Sequence, residues 1–252
     1  MAQRFKLRIG EHLESPEAKR YFNEKVFSEI APRYGFITRA LSFWRDASWK
    51  RELIAALPAW ESPLSADLAC GTGDVALLLA ASYPKGLVIG LDITFPMLDL
   101  ARRRNTFPNV RFVAGDMGCL ALAAGSVDIV TGGYALRNAP DLGSALDEIR
   151  RVLKPGGVAA FLDFSKPVGG LAQVFEYWTL KLWGGFWGWL LHRNPDVYGY
   201  IAESLKRHPD RDRLRDLFCE RGFLVVCSCV YFFGFTELLV VRKVRPTSVA
   251  PP

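Results

Sequence analysis

From Leu64 to Phe164 the chain alternates short apolar runs with longer amphipathic ones. LSADLAC, GLVIGLD, NVRFVAGD, SVDIVTGGYAL and GGVAAFLDF are apolar runs of strand length. DVALLLAASY, TFPMLDLARRR and DLGSALDEIRRVL, lying among them, carry apolar residues at helical spacing. This alternation predicts a parallel sheet with helices on both faces. Upstream, Phe22, Val26, Phe27 and Ile30 recur at helical spacing, and Pro32 with Gly35 break the run before a second helical segment from Leu41 to Leu57. Past Lys166-Pro167 comes an aromatic helical region, GLAQVFEYWTLKLWGGFWGWLLHR, then two polar helices, PDVYGYIAESLKRH and RDRLRDLFCERGF. Two strands, LVVCSCVYFF and TELLVVRK, follow; joined through Gly234, they must pair antiparallel, because so short a link cannot make a parallel crossover. The expected organisation is a helical cap over 1–60, an α/β domain over 61–245 with a helical insertion at about 168–209, and a disordered tail at 246–252.

Composition narrows the class. Of 252 residues, 50% are hydrophobic and 23% charged, which is ordinary for a folded globular chain. The net charge of +6 is spread out; its one tight run, Arg102-Arg103-Arg104, reads as a solvated helix end, so no nucleic-acid partner is expected. The basic balance does suit an anionic membrane surface. Five cysteines (Cys70, Cys119, Cys219, Cys227, Cys229) include no CxxC pair and lie far in sequence from the three histidines, which argues against disulfides and metal. Cys227 and Cys229 share one strand face and are expected to pack in the core. No apolar stretch reaches the roughly 18 residues of a spanning helix, and a cytoplasmic protein is expected. The oligomeric state stays open, a homodimer included.

The stretch Asp67-Leu-Ala-Cys-Gly-Thr-Gly-Asp74 links a strand to a helix. Glycines there permit positive φ and close approach of a ligand to the backbone, while the free amides of the helix start face outward. Read as Gly71-x-Gly73-x-x-Ala76, with Asp92 roughly 20 residues on, it fits a dinucleotide fingerprint. Read as Asp67-x-x-x-Gly71-x-Gly73, it fits the loop that binds S-adenosylmethionine, with Asp92 again on the ribose. A pyrophosphate would not welcome two acids beside it, whereas a sulfonium and an ammonium would. Asp67 and Asp74 bracket the loop, and Asp116 at the third strand's end can accept from an adenine amino group. These features favour S-adenosylmethionine and a class I methyltransferase over a dehydrogenase.

Several segments are familiar: VFSEIAPRYGFITRALSFWRDASWKR, DLACGTGDVALLLA, GLDITFPMLDLAR, YALRNAPDLGSALDEIRRVLKPGG, FLDFSKP and YIAESLKRHPD. Together they resemble the family that C-methylates the ring of menaquinone and ubiquinone precursors, from about Val26 to about Phe223. The glycine loop and KPGG are general to methyltransferases. Leu136-Arg137-Asn138, the FSKP of Phe164 to Pro167 and the AES-x-x-x-x-P of Ala202 to Pro209 are specific. The resemblance implies a Rossmann-like α/β fold with a mostly parallel seven-stranded sheet, an antiparallel last strand, an N-terminal helical extension and an aromatic helical insertion. It also implies methyl transfer from S-adenosylmethionine to a ring carbon of a demethylated isoprenoid quinol.

By the same resemblance Arg137 and Asn138 stand at the reaction centre, where a cation favours loss of the phenolic proton that makes the ortho carbon nucleophilic. The alternative for Arg137 is a structural ion pair with an acid such as Asp141. Asp67, Gly71, Thr72, Gly73, Asp92, Ile93 and Met97 are expected at the cofactor. Asp116 and Met117 are expected at its adenine, and Gly133, where relatives often carry serine, at its backbone contacts. Tyr134, Tyr177, Trp178 and Phe235 are expected in the substrate pocket. The aromatic segment is expected either to cover an isoprenoid tail or to rest on a membrane, with Lys181, His192 and Arg193 facing headgroups. Relatives usually read FGLRN where this chain has Tyr134-Ala135-Leu136-Arg137-Asn138. Their final hairpin lacks the bulk of Phe235 and the carboxylate of Glu237, which predicts a reshaped ring pocket. A methyltransferase for another aromatic or polyketide acceptor, or a non-catalytic cofactor-binding subunit, are the alternatives; retention of Asp92, Arg137 and Asn138 speaks against the second.

Overall fold

The structure is a computed structural model that describes residues 15–245; the expected disordered tail lies outside them. Three short helices come first: α1 (Pro16–Ile30), α2 (Tyr34–Leu41) and α3 (Asp46–Ala55). Then β1 (Leu64–Leu68), α4 (Asp74–Ser82), β2 (Leu87–Asp92), α5 (Phe95–Arg104), β3 (Val110–Ala114) and β4 (Val127–Gly133) follow in turn. After them come α6 (Leu142–Val152), β5 (Leu153–Phe164), α7 (Gly170–His192), α8 (Asp196–Arg207), α9 (Arg211–Glu220), β6 (Phe223–Tyr231) and β7 (Thr236–Lys243).

The strands form one sheet in the order β3-β2-β1-β4-β5-β7-β6. β1 to β5 pair in parallel, while β7 lies antiparallel to both of its neighbours, as its short link to β6 requires. The strand order reverses between β1 and β4, so a crevice opens at their carboxyl ends, where ligands bind in open α/β sheets. One sheet face packs on Leu146, Ile149, Leu214 and Phe218 of α6 and α9. The opposite face packs on Trp49, Leu53, Leu79 and Leu98 of α3, α4 and α5, with Cys227 and Cys229 partly buried beside them as expected. A third apolar cluster joins α1 and α2 to α8 through Phe22, Val26, Ile37, Tyr198 and Ile201.

Three boundaries differ from the sequence expectation. Proline without an N–H is tolerated at a helix start, so Pro32 and Gly35 do not stop the helices: a 3-10 turn at Ala31–Arg33 runs into α2, which contains Gly35. The true break is at Phe43 and Trp44, both left-handed, where the Trp44 N–H donates to the Arg39 carbonyl at 2.7 Å. The fifth strand, expected from Gly156, already begins at Leu153 and carries KPGG as a bulge, with pairing resuming at Ile129 and Val158. Finally, the strand expected to run to Leu136 stops at Gly133. Tyr134 takes φ +60, its N–H donates to the Leu162 carbonyl at 2.6 Å, and Leu136–Asn138 close into a 3-10 turn. That early stop brings Tyr134, Arg137 and Asn138 to the crevice.

Candidate active site

The glycine loop crosses the carboxyl end of β1. Ala69, Gly71 and Gly73 all have positive φ, and the Gly71 N–H donates to Asp92 Oδ2 at 2.8 Å. Asp92 Oδ1 accepts from the Thr94 N–H at 2.7 Å, so this buried carboxylate ties the ends of β1 and β2 together. Burial pushes its pKa up against the pull of those two amides. Gly73 serves the turn: it has φ +86, and a Cβ on it would sit 2.9 Å from Phe112 Cζ. It caps α4 and does not line the cleft; Gly71 does.

The cleft encloses about 550 Å³ between Asp92, Ile93, Met97, Asp116, Met117 and Gly133. A Cβ at Gly133 would lie 3.3 Å from Val75 Cγ2, a tight contact with one side-chain methyl. Asp67 and Thr72 line an adjoining recess with Lys50 and Asp74. Asp67 Oδ1 accepts from Thr131 Oγ1 at 2.8 Å, while Asp67 Oδ2 and Thr72 Oγ1 are buried without a partner. Burial pushes the Asp67 pKa up to about 7. A buried acid with one unmatched oxygen, beside an unmatched hydroxyl, fits the ammonium and carboxylate of a methionine moiety.

Asp74 is not a bare anion beside the recess. Lys50 Nζ lies 2.9 Å from its Oδ2 and Arg104 Nη1 2.7 Å from its Oδ1. Although burial alone would raise it, these two cations hold its pKa below the ordinary value. Arg104 also donates to the Thr72 carbonyl at 2.8 Å, so the arginine triplet, expected as a solvated helix end, contributes a loop contact. Lys50 reaches on to Asp46 Oδ2 at 2.8 Å, and the Tyr134 hydroxyl donates to Asp46 Oδ1 at 2.9 Å.

Next to the cleft lies an apolar chamber of about 860 Å³, bordered by Ile30, Ile37, Phe164, Leu180, Ile201 and Phe235. Phe27, Tyr34, Tyr134 and Asn138 border both cavities, so the two meet there. Arg137 faces the chamber, buried, with its guanidinium 5.5 Å from the Phe164 ring centre and 5.4 Å from that of Tyr200. Its Nη1 donates to Ser204 Oγ at 2.6 Å and its backbone N–H to Asp163 Oδ2 at 3.1 Å. The ion-pair partner is Asp163, with Nε 3.8 Å from Oδ1, not Asp141, which instead caps α6. Asn138 Nδ2 donates to the Tyr134 carbonyl at 2.7 Å, and its buried Oδ1 has no partner.

Of the four expected pocket residues, Tyr134 and Phe235 line the chamber. Tyr177 and Trp178 do not: they line a separate groove between α7 and α8, and the Tyr177 hydroxyl donates to Glu203 at 2.6 Å. Glu237 also turns away, accepting from Arg215 at 2.7 Å and Ser228 at 2.6 Å, so it does not reshape the ring pocket. Asn23, which donates to the Asn138 carbonyl at 2.7 Å, together with Tyr34 and Lys50, escaped the sequence reading. The i,i+4 spacing of Asp46 and Lys50 in DASWK was the one local signal for that pair.

A doubly wound sheet with this loop, this cleft and an unmatched buried acid defines a class I, S-adenosylmethionine-dependent methyltransferase. A possible histamine N-methyltransferase from Thermotoga maritima, described as S-adenosylmethionine-dependent, shares the fold at a TM-score of 0.63 and 21% identity, over 87% of this chain and 99% of that one. The chain belongs to the ubiE/COQ5 methyltransferase family, whose model matches residues 14–238. A demethylmenaquinone methyltransferase from Thermus thermophilus is 36% identical over 79% of this chain and 92% of its own length. The Geobacillus kaustophilus protein of the same description is 33% identical over 85% and 93%.

Proposed function

We propose that this protein methylates a ring carbon of a demethylated isoprenoid quinol, with a demethylmenaquinol as the acceptor. The carrying observation is the apolar chamber that meets the cofactor cleft at Tyr134 and Asn138 and holds one buried guanidinium, that of Arg137. Two relatives described as demethylmenaquinone methyltransferases support the choice of acceptor. In the recess beside the cleft Asp67 would take the ammonium of S-adenosylmethionine, and in the cleft Asp92 would take the ribose hydroxyls and Asp116 with Met117 the adenine. Bound there, the cofactor supplies an electrophilic methyl group.

The chain's own part is positioning and charge control. Arg137, fixed by Ser204 and held between two rings, binds the acceptor as its phenolate, the hydroxyl proton having passed to solvent before the ring is enclosed. Electron density then rises at the ortho carbon. Asn138 Oδ1 accepts the hydrogen of a second hydroxyl and fixes the ring in its plane. The apolar walls keep water from competing for the reactive methyl.

The reading extends to a membrane surface. The exposed side of α7 carries Leu171, Phe175, Trp178, Leu182, Phe186 and Trp189 at helical spacing, a stripe of the kind that rests at an interface. No helix among the described residues is long and apolar enough to cross a membrane. Lys181 and His192, expected at headgroups, are paired internally with Glu203 and Tyr198. Incubation with methyl-labelled S-adenosylmethionine and a short-chain demethylmenaquinol should place label on the ring. Label only on an unrelated aromatic, or none on any quinol, would end the assignment.

A further inference from the structure

Three aromatic rings pack together at the border of the chamber. Phe43, from the turn between α2 and α3, stacks on Trp183 of α7 at 5.1 Å and on Phe232, between β6 and β7, at 4.8 Å. All three border the chamber and none borders the cofactor cleft. Phe43 is also 47% exposed, so a single layer of side chains separates the chamber from the outside here. Trp183 Nε1 is buried without a partner, and no hydrogen bond joins the three rings.

Both turns place consecutive non-glycine residues in the left-handed region: Phe43 and Trp44 at φ 49 and 65, Phe232 and Phe233 at φ 51 and 58. Bulky residues rarely adopt that conformation, and such strain gathers at ligand clamps and switch segments. Outside this seam, Trp44, Phe186 and Phe233 are exposed, the last at 95%. Trp183 stacks on Phe186 at 5.9 Å, so the seam runs without a polar break onto the exposed stripe of α7.

We infer that the Phe43–Trp183–Phe232 seam is the exit of a polyprenyl subsite, through which the acceptor's tail leaves the chamber along the outer face of α7. The inference rests on the quinol reading above. A ring held at Arg137 and Asn138 leaves its tail in the apolar part of the chamber, and a chain longer than the chamber must emerge. Emerging between aromatic faces keeps its methylenes out of water all the way to lipid.

The test compares a demethylmenaquinol carrying a tail of many isoprene units, presented in phosphatidylcholine vesicles, with one carrying a single unit. Phe43→Asp and Phe232→Asp each set a carboxylate in the path. The ratio of kcat/KM for the long-tailed to the short-tailed acceptor should fall at least about tenfold relative to the parent, and an unchanged ratio would overturn the exit. A parent protein that methylates neither acceptor would overturn the quinol reading instead. A photoreactive group on the tail, used with the parent protein, gives a readout independent of variant folding. Adducts should map to peptides containing Phe43 and Phe232; adducts confined to the Tyr177 and Trp178 groove would overturn the exit.

Discussion

Asp67→Asn should make the free protein more stable and the cofactor weaker-bound. Asp67 is 1% exposed, and burial lifts its pKa from the ordinary 3.8 to about 7. An acid raised in the folded state binds its proton more tightly there than in the unfolded chain. Its stabilising contribution is therefore complete below about pH 4 and declines as pH rises toward 7. At 1.36 kcal/mol per pH unit, the gap is worth about 4 kcal/mol above pH 7, an upper bound because the native site relaxes. Asparagine keeps the shape and the contact to Thr131 without the charge. Half of the bound, roughly 2 kcal/mol, would raise the melting temperature of a chain this size by about 4–8 °C at pH 8, with little gain at pH 4.5. Calorimetry with S-adenosylmethionine should show weaker binding, and the parent's rise in affinity from pH 6 to pH 8 should flatten. A variant that melts lower than the parent at pH 8, or binds the cofactor as the parent does, would refute the reasoning.

Arg137→Lys should lower methyl transfer by about 10²- to 10³-fold with the cofactor Kd unchanged, because an ammonium cannot both reach Ser204 and lie flat between Phe164 and Tyr200; a parallel loss of cofactor affinity would mark Arg137 as a support of the loop. Lys50→Met should cost about 3 kcal/mol or more in urea unfolding, since it strands the buried Asp46 carboxylate, and a loss below about 1 kcal/mol would contradict that. Gly73→Ala should cost about 2–4 kcal/mol from positive φ and overpacking on Phe112; an unchanged melting curve would mean that the loop has room it lacks here. Replacing Trp178, Phe186 and Trp189 with serine should abolish sedimentation with anionic vesicles, and equal sedimentation would remove the α7 stripe from membrane contact.

The sheet was legible because strand and helix differ in period, and the acids that line the cleft and its recess were legible because Asp67, Asp92 and Asp116 stand at or near strand ends. What surrounds Arg137 was not. Asp163 lies 26 positions away and Ser204 lies 67, and only the strand order and the return of α8 bring them together. Tyr177 and Trp178 were misplaced because counting aromatics says nothing about helix rotation. The glycines hold that information: a Cβ at Gly184 or Gly188 would sit 2.7 or 2.6 Å from the carbonyl oxygens of Tyr198 and Asn194, which fixes the face turned to α8. Asp74 was read by its sign alone; of its two neutralising partners, Arg104 comes from α5 and Lys50 from α3, a segment with no visible tie to the loop.

That tie has a thermodynamic consequence. Lys50 fastens the N-terminal helices to the first turn of α4, and Asn23 fastens α1 to Asn138. Ordering of these helices and filling of the cleft are therefore linked equilibria, and each must favour the other by the same factor.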